Sequence, residues 1–327
     1  MPTLLILLNE NQLNPDQVET IRKLAPKHDI WLTDDPFGED PDRVAEVEIS
    51  GGFTPPPALI LNGALKWHHA YTAGMDWMFA IEGHENLPMI LTNSCGIHGV
   101  SISEHTFAMI LAFERHFVKF ILNQHKKFWG KRDERGGNIG TIAGKTMLVL
   151  GVGAIGQRIA KLAKAHDMQV LGIRRQPELT YEHVDVMYGQ HQLHEILPMA
   201  DYIVSVLPNT PDTQHILGKA EFELMKTGVF VANLGRGVHI DENALIDALD
   251  SGKVRGSGLD TFETEPLPKS SPLWDFENVI ISPHCAGFQS DYKFEATGVF
   301  IENLKRFETN EPMVNVVDKS LGYSLTH

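Results

Sequence analysis

Apolar residues along this chain fall into two alternating rhythms. Short continuous runs at positions 4–8, 30–32, 58–61 and 89–91, and again at 146–150, 168–173, 202–207, 229–234, 256–259 and 279–282, have the length of buried strands. Between them, segments such as 16–24 and the one carrying Ile159, Leu162 and Ala163 repeat apolar residues at helical spacing. Strand and helix in alternation predict an α/β protein built on parallel sheets. One segment departs from the pattern. Positions 102–122, with Phe107, Ile110, Leu111, Phe117 and Phe120, read as a single long helix. It is more apolar than one buried stripe requires, which predicts a second packing partner such as another subunit. The charged run 131–137 that follows reads as a solvated loop, and Pro55-Pro56-Pro57 as a rigid one.

Composition narrows the class. A length of 327 residues predicts about two domains, and 43% hydrophobic with 21% charged residues is ordinary for a soluble globular protein. The net charge of −14 argues against nucleic acid or an anionic membrane as a partner, so any anionic ligand must be met by a local basic site. Cys95 and Cys285 are too few for a disulfide framework and lack zinc-site spacing, so no resident metal is expected and a reduced, cytoplasmic setting is. The first apolar run has no basic stretch before it and reads as a strand, not a leader. No run approaches the roughly 18 apolar residues of a membrane span.

The chain's organising string is Gly151-Val152-Gly153-Ala154-Ile155-Gly156, set between a predicted strand and a predicted helix. In that setting the glycines serve separate ends, Gly151 for the tight turn, Gly153 for close approach of a pyrophosphate, and Gly156 for helix packing on the sheet. Amides at the helix start would hold the phosphates. An enzyme using NAD usually places a carboxylate about 20 residues later, on the ribose hydroxyls. Here the next strand ends Ile173-Arg174-Arg175-Gln176, with two guanidinium groups and no carboxylate. Arginine grips a 2′-phosphate that a carboxylate would repel, so NADP(H) is the expected cofactor, with NAD(H) possible.

Ligands of doubly wound sheets bind at the carboxyl ends of strands. Those ends read Leu207-Pro208 followed by Thr213; Asn233-Leu234-Gly235-Arg236-Gly237, with Asp241 as a helix cap; Asp260-Thr261-Phe262 leading to Glu265-Pro266; and Pro283-His284-Cys285-Ala286-Gly287. An arginine, a carboxylate and a histidine thus gather beside the nucleotide site.

Together these strings closely resemble the D-isomer-specific 2-hydroxyacid dehydrogenase family, whose N-x-G-R-G, D-V-F-x-x-E-P and P-H-x-A-G follow the glycine fingerprint in this order. Asp260-Thr261-Phe262 departs mildly from the usual Asp-Val-Phe. Ala73-Gly74-Met75-Asp76 is similar to the family's substrate loop, and 93–104 to its crossing into the nucleotide domain. The resemblance implies a Rossmann-type doubly wound domain (101–287) inserted into a smaller flavodoxin-like α/β substrate domain (1–100 and 288–327), a return helix at 291–307, substrate in the interdomain cleft and a homodimer. It implies that His284 is the acid/base, that Glu265 holds its ring, and that Arg236 holds the substrate carboxylate beside Ala73 and Gly74. Cofactor contacts are expected from Thr106, Gly151, Gly153, Ala154, Ile155, Gly156, Arg174, Arg175, Leu207, Pro208, Thr213, Asn233, Leu234, Gly235, Asp260, His284, Ala286 and Gly287. The implied reaction interconverts a 2-oxo acid and a D-2-hydroxy acid, with an NADPH-linked reductase of glyoxylate or hydroxypyruvate favoured. Alternatives are a phosphoglycerate dehydrogenase-like enzyme, with Lys66, His68 and His69 available to a phosphate, and a nucleotide-sensing corepressor-type scaffold. Formate dehydrogenases carry glutamine where this chain has Glu265. Trp67, Trp77, Met78 and Trp129 are candidates to narrow the substrate pocket.

Overall fold

A computed structural model describes residues 1–130 and 139–324; the charged run 131–137 lies outside the described residues. The chain divides into two compact units, Met1–His98 with Gln289–His327, and Gly99–Phe288.

The first unit is a five-stranded parallel sheet of β1 (Thr3–Ile6), β2 (Asp29–Leu32), β3 (Val47–Gly52), β4 (Trp67–Ala70) and β5 (Ile90–Asn93), in the order β2-β1-β3-β4-β5. That order is the flavodoxin-like one. Both faces are covered, because alternate residues of β1 point to opposite sides: Leu5 joins Leu59, Met78 and Leu91, while Leu4 and Ile6 join Ile21, Phe300 and Leu304. Helix Pro15–Leu24 starts where expected, with the Asn14 side chain accepting from the Asp16 amide and proline at its first position. The return helix is Tyr292–Thr309.

One expectation fails here. Positions 58–61 are not a strand: Pro57–Ile60 forms a helical turn, since proline at the first helical position sets φ for it. The strands that take its place are β3 and β4, whose pattern is broken by Ser50, His68 and His69. All three are fully buried. Each has a side-chain partner: Ser50 Oγ lies 2.8 Å from His68 Nδ1, and Thr92 Oγ1 lies 2.7 Å from His69 Nδ1 and accepts from Trp67 Nε1 at 2.8 Å, while His68 Nε2 is buried without one.

The second unit is a seven-stranded parallel sheet: β6 (Thr146–Leu150), β7 (Gln169–Ile173), β8 (Val186–Tyr188), β9 (Tyr202–Ser205), β10 (Val229–Asn233), β11 (Val254–Leu259) and β12 (Val279–Ile281), in the order β12-β11-β10-β9-β6-β7-β8. Counted from β6 this is the doubly wound order, with its switch between β6 and β9. Leu148 and Leu150 enter one core cluster, Met147 and Val149 the other. The short β8, Val-Met-Tyr, is partly exposed.

The expected long helix is two, Gly99–Glu114 and Phe117–His125, divided where His116 takes a left-handed φ of 56°. The first ends on a buried Glu114 held by the Tyr202 hydroxyl (2.7 Å) and Arg255. The second carries the surplus apolar residues: Phe117, Val118, Ile121 and Leu122 are all exposed. No helix among the described residues is long and apolar enough to cross a membrane.

Candidate active site

Strands β10, β11 and β12 are neighbours in register, with Asn233 opposite Leu259 and Leu259 opposite Ile281, so the three loops after them begin side by side. The Asn233 side chain pins the first loop, accepting from the Gly235 amide (3.2 Å) and donating to the Arg236 carbonyl (2.7 Å). Arg236 Nη1 donates to the Gly235 carbonyl at 2.8 Å, which orients the guanidinium from its own turn. Gly237 must be glycine, since a Cβ there would fall 1.8 Å from the Phe262 carbonyl carbon. The arginine loop is thereby pressed against the loop that leads to Glu265.

His284 stands at a left-handed φ of 50°, an uncommon conformation for a side-chain-bearing residue. Asp260 holds it there. The Asp260 carbonyl accepts the His284 amide (2.8 Å), and its carboxylate accepts the Cys285 amide (2.9 Å), the Ala286 amide (3.0 Å) and the Ser282 hydroxyl (2.5 Å). Burial and the Asp260 carboxylate push the Cys285 thiol above its usual range. The half-exposed imidazole of His284 meets Glu265 through Nδ1, 2.6 Å from Oε2, while Glu265 Oε1 accepts the Phe262 amide at 3.0 Å. A carboxylate on Nδ1 fixes the proton there, leaving Nε2 as the nitrogen that exchanges protons with a ligand.

On the other side of the switch the three glycines stand in different surroundings. Gly151 has φ 98° and lies 2.9 Å, at its Cβ position, from the Val206 carbonyl; a Cβ on Gly156 would fall 2.2 Å from the Gly151 carbonyl oxygen. Nothing lies within 4 Å of the Cβ position of Gly153. Helix Ala154–Ala165, which opens with Ala154 and Ile155, has no side-chain cap and no acidic residue in its first turn. Its amide end is therefore available to phosphates, and the turn fits a dinucleotide. Arg174 reaches back to this turn, donating Nη1 to the Val152 carbonyl at 3.1 Å with its guanidinium 5.3 Å from the Tyr181 ring centroid. Arg175 beside it is exposed.

The remaining residues singled out in the sequence are found in different states. The Thr213 hydroxyl donates to the Pro208 carbonyl (2.8 Å) and shapes the loop after Leu207. Leu234 and Ala286 are buried, and Gly235 would meet the His239 ring 2.8 Å from a Cβ. Gly287 ends the histidine loop. Thr106 is fully buried, with its hydroxyl on the Ile102 carbonyl at 2.7 Å. Asp241 caps its helix, accepting from the Ala244 amide.

Ala73 and Gly74 belong to the first unit, in the loop after β4. Asn93 holds the Ala73 carbonyl (2.7 Å) and Thr72 holds that of Gly74 (2.8 Å), which fixes both peptide planes. His68 and His69 are core residues and so cannot meet a phosphate; Lys66 pairs with Glu48 at 2.7 Å. Trp67 and Met78 are likewise fully buried.

Sequence reasoning passes over His239. It is fully buried, with Nδ1 3.2 Å from the Arg236 amide and 3.1 Å from Ser205 Oγ, and Nε2 3.2 Å from the Pro208 carbonyl. It ties the ends of β9 and β10 together under Arg236. Its one sequence signal is its place three residues after Arg236.

Comparison with known proteins agrees with this geometry. The profile of the D-isomer specific 2-hydroxyacid dehydrogenase NAD binding domain matches residues 107–286. D-3-phosphoglycerate dehydrogenase of Methanocaldococcus jannaschii is 32% identical over 240 residues; the match covers 73% of this chain and 45% of that relative, so the chain spans about half of its length. Among solved structures, a D-isomer specific 2-hydroxyacid dehydrogenase family protein of Aeromonas salmonicida is 32% identical, with a TM-score of 0.80 over 97% of this chain and 99% of that one. An NADPH-dependent glyoxylate/hydroxypyruvate reductase of Sinorhizobium meliloti, solved with NADP and sulfate, is 26% identical, with a TM-score of 0.79 over 98% of this chain and all of that one (100%).

Proposed function

The chain belongs to the D-isomer specific 2-hydroxyacid dehydrogenase family, and from that premise we propose that it is an NADPH-linked reductase of small 2-oxo acids such as glyoxylate and hydroxypyruvate. The observation that carries the reading is the His284–Glu265 pair, 2.6 Å apart at the carboxyl edge of the sheet that also bears the glycine turn. The name of the Sinorhizobium structure supports the substrate class.

The residues act as follows. The Arg236 guanidinium binds the substrate carboxylate and polarises the carbonyl. A bound nicotinamide supplies the hydride. His284 gives the Nε2 proton to the carbonyl oxygen, and Glu265, holding the Nδ1 proton, keeps the ring in the tautomer and orientation that this transfer needs. Arg174 and Arg175 hold the 2′-phosphate, and the amides after Gly153 the pyrophosphate. The two domains of the working enzyme are taken as 1–100 with 288–327, and 101–287. The exposed Phe117, Val118, Ile121 and Leu122 support a homodimer, which sedimentation velocity checks.

The test is a panel of initial rates with NADPH and NADH against glyoxylate, hydroxypyruvate, pyruvate, phenylpyruvate and phosphohydroxypyruvate. The expected outcome is fastest turnover of glyoxylate or hydroxypyruvate with NADPH. Preference for phosphohydroxypyruvate would move the chain to phosphoglycerate chemistry, and silence across the panel in nucleotide-binding protein would favour the scaffold role.

A further inference from the structure

Behind the His284 loop lies a side-chain cluster that the reduction does not use. His105, on helix Gly99–Glu114, Asp260 at the end of β11 and Cys285 beside His284 each offer one ligand atom, and these atoms all lie within 4.8 Å of one another. His105 Nε2 is 4.0 Å from Asp260 Oδ1, and Ser282 Oγ bridges them at 2.9 and 2.5 Å. All four residues come from the second unit. Nothing in their sequence spacing brings them together.

We propose that His105, Asp260 and Cys285 form an inhibitory site for a zinc ion, which on binding displaces the Ser282 hydroxyl from between them. The donor set selects the metal: one imidazole, one carboxylate and one thiol suit Zn²⁺, whereas magnesium and calcium demand oxygen ligands. Tetrahedral zinc at about 2.0–2.3 Å from each ligand spaces them roughly 3.3–3.8 Å apart, so the cluster must tighten by no more than about 1.5 Å. Two of the ligands have room to do so. His105 is 27% exposed and Cys285 is also only partly buried, while Asp260 is the fixed corner, 2% exposed. Because Ser282 donates to Asp260, its oxygen accepts from His105 Nε2–H; zinc binding moves that proton to Nδ1 and releases the thiol proton of Cys285 to solvent. The thiolate and carboxylate then balance the charge of the ion, and solvent fills the fourth position.

Inhibition follows from what Asp260 already does. Its Oδ1 accepts both the Ser282 hydroxyl and the Cys285 amide. A metal on that oxygen weakens both bonds, while the bond from Ala286 to Oδ2 remains as the outer support of the ligand. The left-handed turn at His284 loses part of its bracing, and the acid/base shifts away from the substrate.

The site is tested without turnover, so its failure is separate from failure of the reductase reading. Untagged, metal-stripped protein is dialysed against zinc chloride and its bound metal counted, and cobalt(II) is added in parallel to look for a thiolate-to-cobalt charge-transfer band. We expect one zinc per chain and a clear band, with Cys285→Ala abolishing the band and weakening zinc at least tenfold. His105→Gln should weaken it comparably, and Cys95→Ser should change neither; matched melting temperatures exclude misfolding. Zinc bound equally well by Cys285→Ala, or cobalt binding without a thiolate band, overturns the site.

Discussion

The two sheets place their polar residues differently. In the first, polar side chains sit in mid-strand and under cover: Ser50 on β3, His68 and His69 on β4 and Thr92 on β5 are fully buried and bonded to one another. In the second, the strand interiors are aliphatic along Leu148, Val149, Ile203, Val204 and Val231. Most of its polar groups gather where strands end, at Asn233, Asp260, Ser282 and His284. A histidine in mid-strand is enclosed by its own core, as His69 is by Thr92 and Phe300, whereas one past the last rung can meet a ligand. Position along the strand, more than residue type, thus separates the buried histidines from the proposed acid/base.

The sharpest way to break this contrast is to remove the strand-end histidine. His284→Ala should cut kcat by about 10²–10⁴-fold while leaving NADPH affinity and melting temperature nearly unchanged. A variant that keeps most of its turnover would take the acid/base role away from His284.

The second expectation concerns the buried pair. Burial lowers His68 to about 3, and burial with the neighbouring His68 lowers His69 to about 3, from the ordinary 6.5. Both are neutral when folded, so between those values the unfolded chain binds more protons. Their contribution to stability is therefore whole above pH 6.5 and is lost as pH falls from 6.5 towards 3. The full loss is on the order of 5 kcal/mol per histidine. Urea midpoints measured from pH 7.5 to pH 4 should fall steadily, and the fall should be shallower in His69→Gln. An identical slope in that variant would place the acid sensitivity elsewhere.

The smallest effect tests the cofactor edge. Replacing Arg174 and Arg175 together with Ala should raise the KM for NADPH by about 10–100-fold, the loss of one or two charge-assisted contacts, and leave that for NADH within about threefold. Equal losses for both cofactors would remove these side chains from the 2′-phosphate site.

Much of the second unit was legible because its strands are continuous apolar runs and its strand ends are short strings that follow in chain order. Gly151, Gly153 and Gly156 show in the structure the separate surroundings that their spacing implied. The first unit was less legible. Its β3 and β4 were hidden by buried polar residues, and 58–61 had strand-like residues but a proline start that turned them helical. The division of the long helix at His116 left no proline or glycine to mark it.

The sequence by itself determined the alternation of elements, the glycine turn and the order of Arg236, Glu265 and His284, since each rests on residues close together in the chain. Only the tertiary structure decided what lies beneath them. The tie of His239 to Ser205 and Pro208, Asp260 bracing the His284 turn and the meeting of His105 with Cys285 all depend on contacts between residues far apart in the chain. A hydrogen bond across a sheet edge is fixed by register and packing, and neither quantity is carried by any local stretch of sequence.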